Sequence, residues 1–441
     1  MKHPLRSACS FSLRCQLCRS RTDRVSLTVL MCLLCILHSA TIAVAYYPEY
    51  HIYHNLQSIG DELVSLARDY PGLVELRSIG SSRANRPITA ASLFHTHPAR
   101  SRRCPPPTVI LTSGEHAREF IPVEVLLALM RNLTKASATA SSGHADLLQR
   151  VRVVAVPLAN PDGRALLEQK NDWCRRGMPN GVDINRNFPW EFGGFGSSGD
   201  PQNEEYKGPA PLSEPESRAI SSIFNASYPP AAFASLHSGS QVIYTPFSDT
   251  ESKKTRRLPP GSSVAAALAA DMAAQCGGYY TETGVVYEKN DYTADGTLSD
   301  WASAMMHVPL VFTFEMFGDP KAGDLANCFE QFNPLSSRLS ECVQLQLPAL
   351  LFLLRHVARN AELDCEGRSF KETSSLGASL QAAAEAAAAT LQPNRSPSLK
   401  HDILHEARVL SQDLQDAQAA LQQARLTLLA SLRARAEGAG S

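Results

Sequence analysis

The sequence predicts an α/β protein with a mixed, mostly parallel central β-sheet flanked by helices on both faces, followed by a helical C-terminal extension. Three observations carry that prediction. The apolar runs at residues 151–158, 231–236 and 310–314 do not alternate with polar residues, which is the pattern of strands buried on both faces. A β-rich run at 108–112 is followed by helical apolar spacing at 120–130, the strand-then-helix order of such sheets. His237 and Glu315 directly follow two of the runs, and open α/β sheets bind ligands at strand ends.

Taken in order, residues 53–70 carry helix-spaced Leu56, Ile59, Leu63 and Leu66 and stop at Pro71-Gly72, which cannot continue a helix. Residues 73–79 and 88–94 read as strands around a Ser/Arg/Asn turn. The run at 108–112 ends at Ser113-Gly114, and that at 151–158 is flanked by Asn160-Pro161-Asp162-Gly163. The cluster at 345–354 is too short to span a bilayer and reads as a buried helix.

With 441 residues the chain has room for one large domain and flanking segments, and 44% hydrophobic with 19% charged residues is ordinary globular composition. A net charge of -1 argues against nucleic acid or an anionic membrane as partner. Basic residues up to Arg24 precede an apolar run at 25–44 that ends in Ala43-Val44-Ala45, the order of a secretory signal cleaved before Tyr46. The run is also close to the length of an uncleaved membrane anchor, so residues 1–45 carry both readings. The expected location is secreted or the secretory-pathway lumen, with membrane attachment only if that segment is retained. Beyond it, Cys104, Cys174, Cys276, Cys328, Cys342 and Cys365 are even in number and permit three disulfides. Asn132, Asn225 and Asn394 head glycosylation acceptor triplets. Residues 362–441 turn Ala- and Gln-rich, and Ile403, Ala407, Leu410, Leu414, Ala417, Leu421, Ala424 and Leu428 are spaced by threes and fours. That spacing gives a coiled-coil seam over 401–437, suited to self-association; a loosely ordered tail is the other reading.

The chemistry concentrates in Gly114-Glu115-His116-Ala117-Arg118-Glu119. His116 and Glu119, three positions apart, can turn an imidazole nitrogen and a carboxylate oxygen toward one zinc ion. Further pieces follow in order: Asp183-Ile184-Asn185-Arg186-Asn187, His237, Tyr292-Thr293-Ala294 and Phe312-Thr313-Phe314-Glu315. Together these motifs resemble the zinc metallocarboxypeptidase family, which includes the pancreatic carboxypeptidases A and B, over residues 46–361.

The resemblance implies one zinc per catalytic domain, held by His116, Glu119 and His237, with Asp183 orienting His116 from behind. It implies that Arg186, helped by Asn185, grips the C-terminal carboxylate of a peptide or protein substrate, and that Arg118 serves an outer subsite. Glu315 corresponds to the general base and Tyr292 to the tyrosine that closes over the bound terminal residue. The family's arginine facing the scissile carbonyl falls in Trp173-Cys174-Arg175-Arg176; Arg175 is the favoured candidate over Arg176, and spacing alone does not set the register. Ser299 stands near the floor of the specificity pocket and suggests a broad or weakly basic preference. The expected reaction is hydrolysis of the last peptide bond, releasing one amino acid. Cleavage of murein or branched glutamyl amides on the same fold, and a silent binding protein, are the rival readings. The 45 residues before Tyr46 leave no room for the inhibitory pro-region of pancreatic-type members, so activity without proteolytic release is expected.

Overall fold

Local sequence sets the first elements. Helix α1 (Leu56–Asp69) opens on a reciprocal cap: Ser58 N–H donates to the Asn55 side chain at 2.8 Å, and Asn55 N–H donates to Ser58 Oγ at 2.9 Å. Its buried stripe, Ile59, Leu63 and Leu66, is the one read from the spacing. The chain continues through β1 (Val74–Ser81), β2 (Pro87–Leu93), β3 (Thr108–Ser113) and α2 (Ile121–Thr139). Next come α3 (Leu147–Arg150), β4 (Arg152–Val156), α4 (Pro161–Lys170) and α5 (Pro215–Ser221). Then follow β5 (Ala232–His237), β6 (Gln241–Thr245), α6 (Thr250–Thr255), α7 (Ser262–Ala274) and β7 (Glu282–Val285). The last elements are α8 (Val286–Lys289), α9 (Leu298–Ala304), β8 (Val311–Met316), α10 (Cys328–Phe332) and α11 (Ser336–Cys365). This computed structural model describes residues 48–95, 106–139, 144–225, 229–318 and 328–365.

The strands form one eight-stranded sheet in the order β1-β2-β4-β3-β5-β8-β6-β7. Its centre is parallel, through β4/β3, β3/β5 and β5/β8, while β1/β2, β2/β4 and β6/β8 pair antiparallel and β6/β7 parallel. Alternate residues of the central strands enter two separate cores. Leu111, Ala234, Phe312 and Phe314 pack into the larger one with Leu126, Leu268 and Leu350 of α2, α7 and α11. Ile110, Phe233 and Val311 face the other side, against Ile220, Phe224, Leu298 and Trp301. Helices therefore cover both faces, and each fully buried Leu, Phe or Ile contributes about 1.5–3 kcal/mol relative to exposure.

Two differences from the sequence expectation bear on the site. His237 and Glu315 lie inside β5 and β8 instead of just beyond them, because both strands extend into the cleft. The cysteines that permit three disulfides are only partly paired among the described residues: Cys174 and Cys328 are bonded, whereas Cys276 and Cys342 are buried free thiols. Among the described residues no helix is long and apolar enough to cross a membrane. The expected signal or anchor at 1–45 and the Ala/Gln-rich, coiled-coil segment beyond Cys365 lie outside the described residues.

Candidate metal centre and substrate cleft

The metal loop starts where β3 ends. Gly114 makes the turn at φ +69°, and a Cβ there would stand 2.8 Å from a Leu158 methyl, so only glycine lets the chain turn so close to its neighbour. His116 and Glu119 follow, both buried, and β5 delivers His237 to the same point. His116 Nδ1 lies 2.7 Å from Glu119 Oε1, and His237 Nδ1 lies 3.0 Å from Glu119 Oε2 and 3.2 Å from His116 Nδ1. One donor atom from each residue falls within 4.8 Å of the others, the only such His/Cys/Asp/Glu group among the described residues. Two imidazole lone pairs and a carboxylate converging in a buried spot suit a tetrahedral zinc with one open position. Burial alone would raise Glu119, but the two imidazoles outweigh it and hold the carboxyl well below its usual range.

Asp183 closes the centre from behind. Its Oδ1 lies 3.1 Å from His116 Nε2 and accepts from Asn185 N–H at 2.8 Å, while Oδ2 accepts two bonds from the Arg176 guanidinium at 2.8 and 2.9 Å. Burial would raise the Asp183 carboxyl, yet Arg176, His116 and Arg186 together hold it well below the ordinary carboxylate range. Asp183 thus accepts from the outer nitrogen of His116 and leaves Nδ1 for a metal.

A cleft of about 390 Å³ opens in front, lined by Glu119, His237, Arg118, Arg176, Asn185, Arg186, Tyr292, Ser299 and Glu315 among others. Glu315 is the parallel-ladder partner of His237, so the register of β5 and β8 alone sets the acid beside the metal centre. Burial pushes its carboxyl up to about 7, and Oε2 has no hydrogen-bond partner among the described residues. Arg186 is buried, donates Nε–H to Gly196 O at 3.0 Å and pairs through Nη2 with Glu205 at 3.1 Å. Arg118 makes the matching contact with Glu204 at 3.0 Å and stacks 4.2 Å from the Phe332 ring. Asn185 Oδ1 accepts from Leu298 N–H at 2.9 Å, which turns its amide group toward His237. Tyr292 stands at the rim, 60% exposed. At the floor Ser299 Oγ meets Thr313 Oγ1 at 2.7 Å, and burial pushes the neighbouring Asp300 up to about 7.

Every sequence-derived site residue but one reaches the metal centre or its cleft. The exception is Arg175, which turns away to pair with Asp172 at 2.9 Å and does not line the cleft; Arg176 lines it instead. The Cys174–Cys328 bond ties this loop to α10, and Arg118 Nη1 donates to Cys174 O at 2.8 Å, which fixes a register that spacing alone left open. Glu204 and Glu205 escaped sequence reading, since nothing local marks an exposed acidic pair as a neighbour of buried arginines.

This fold and this donor set define a zinc-peptidase scaffold. The zinc carboxypeptidase family profile matches residues 59–347, and the chain belongs to that family. Among curated relatives, mouse carboxypeptidase A2 is 33% identical over 202 residues, covering 44% of this chain and 46% of that protein. Mouse carboxypeptidase A4 is 31% identical over 279 residues, covering 61% and 63%. The chain spans about half the length of the first curated relatives it matches, 46% and 48%. Among solved structures, bovine thrombin-activatable fibrinolysis inhibitor in complex with tick carboxypeptidase inhibitor is 25% identical with a TM-score of 0.59, over 71% of this chain and 100% of that one. Carboxypeptidase A from Helicoverpa armigera, at 20% identity and a TM-score of 0.60 over 77% and 82%, shares the fold.

Proposed function

We propose that this protein is a zinc-dependent metallocarboxypeptidase that hydrolyses the last peptide bond of peptides or proteins and releases one amino acid. The observation that carries this reading is the buried His116–Glu119–His237 donor set in one cleft with Glu315 and Arg186. His116, Glu119 and His237 would hold a zinc ion, which would supply polarisation of the scissile carbonyl and a more acidic water.

The chain's own residues do the rest. Arg186, with the Asn185 amide, takes the substrate's terminal carboxylate in charged hydrogen bonds, displacing Glu205 from its guanidinium. Arg176 faces the carbonyl oxygen, where negative charge grows as water adds. Glu315 removes the proton from that water and returns it to the departing amide nitrogen as the C–N bond breaks. Its raised value of about 7 suits a base at neutral pH, and beside a cation it titrates lower. Tyr292 swings in from the rim to cover the terminal residue. Arg118 contributes to binding further along the peptide. The hydroxyls of Ser299 and Thr313, which line the cleft together with Asp300, support a broad or weakly basic side-chain preference.

The test is Glu315→Gln in the zinc-loaded protein. Zinc content should stay near one per chain while hydrolysis of peptides ending in Lys, Arg, Leu or Phe falls by roughly 10²–10⁴. In the unaltered enzyme kcat/KM should rise with pH through an ascending limb below about 7, and the variant's residual rate should lack it. Near-normal turnover in the variant would remove Glu315 from the mechanism, and a strict aromatic preference would count against the polar floor.

A further inference from the structure

Asp183 accounts for His116, but His237 must also present a bare Nδ1 to a metal, and among the described residues no carboxylate touches its outer nitrogen. What faces His237 Nε2 is the Ser235 hydroxyl at 2.9 Å and, at 3.5 Å, the Asn185 amide nitrogen. The Asn185 contact is at the outer limit of a hydrogen bond, so the much shorter Ser235 contact sets the tautomer. If Ser235 donated, the ring proton would be driven to Nδ1, where it would block the metal. Ser235 is prevented from donating there by a residue outside the ligand set. Its single hydroxyl proton goes to Glu115 Oε1 at 3.1 Å, and the Thr112 hydroxyl donates to the same oxygen at 2.6 Å. Glu115 is fully buried, Thr112 and Ser235 are ladder partners on β3 and β5, and Ser235 shares a sheet face with His237 two residues on.

We propose that Glu115 is a positioning residue of the metal centre. By consuming the Ser235 proton it makes Ser235 Oγ an acceptor for His237 Nε2–H, so that Nδ1 keeps its lone pair for the metal. This rests on the zinc reading above and adds to it a second carboxyl-controlled histidine, reached through a serine. Only an acceptor at Oε1 is required, because Oε2 has no hydrogen-bond partner among the described residues.

Zinc affinity, measured on the metal-free full chain by competition with a chromophoric chelator, tests the chain of bonds. Glu115→Leu should weaken zinc by about 10- to 100-fold, and Ser235→Ala should weaken it comparably. Glu115→Gln, which keeps an acceptor oxygen, should stay close to the unaltered protein. Because both residues act through one hydrogen bond, Glu115→Leu should cost nothing further in the Ser235→Ala background. Additive losses in the double variant, or a glutamine variant as weak as the leucine one, would overturn the proposal. So would a folded Ser235→Ala protein with undiminished affinity, which keeps the test decisive even where Glu115→Leu does not fold. An unaltered protein that binds no zinc would instead overturn the functional reading beneath it.

Discussion

Arg175 and Arg176 are neighbours in the chain with opposite surroundings. Arg175 pairs with Asp172 on the outside of its loop, whereas Arg176 makes two bonds to the buried Asp183 and lines the cleft. Electrostatic stabilisation at a reacting carbonyl is typically worth 2.7–4 kcal/mol per donor, so Arg176→Ala should lower kcat by about 10²–10³. Arg175→Ala should leave it within a few-fold. Steady-state kinetics on both variants decide the matter, and equal losses would show that the loop's integrity, not the guanidinium in the cleft, is being measured. At this scale the sequence was legible wherever a residue's role follows from a short spacing, as with His116 and Glu119. It was illegible for the arginine pair because a one-residue choice depends on which side of a loop faces inward.

At the scale of elements, α5 begins in an unusual acidic pocket. Glu216 in its first turn is fully buried near Asp162 and Glu214, and one of its carboxyl oxygens lacks a hydrogen-bond partner among the described residues. Burial, aided by those two acids, pushes it from an ordinary 4.5 up to about 7. The folded state therefore holds this proton more tightly than the unfolded chain does. The resulting stabilisation is complete below about 4.5 and is lost as pH rises through about 7. Thermal unfolding at pH 5 and pH 8 should show Glu216→Gln gaining on the unaltered protein at the higher pH, and parallel pH profiles would refute the assignment. Elements themselves were read well where periodicity is strong: the first helix falls at Leu56–Asp69 and the central strands fall within a few residues of their expected limits. Strands β6 and β7 were not anticipated, since five and four residues of mixed polarity carry too little pattern.

For the whole molecule, the metal centre joins elements far apart in the chain, with ligands from the turn after β3 and from β5. A ligand that binds only the folded state stabilises it by mass action, about 4 kcal/mol when zinc stands at a thousand times its Kd. Chelation should therefore lower the unfolding temperature and abolish hydrolysis, and added zinc should restore both. Full activity after verified metal removal would eliminate the metal from the reaction. The same long-range closure explains the Cys174–Cys328 bond, which spans 154 residues and holds the arginine loop against α10.

The sequence by itself determined the fold class and the His116–Glu119 pair, because unalternated apolar runs and a His-x-x-Glu turn are local facts that folding does not rewrite. Only the tertiary structure decided that Arg176 takes the inner position, that Glu204 and Glu205 sit on the cleft arginines, and that Glu115 stands behind Ser235 and His237. Each of these is a relation between segments brought together by strand register and loop closure. One residue of slip in β5 against β8 would part His237 from Glu315, and nothing in either segment alone specifies their alignment.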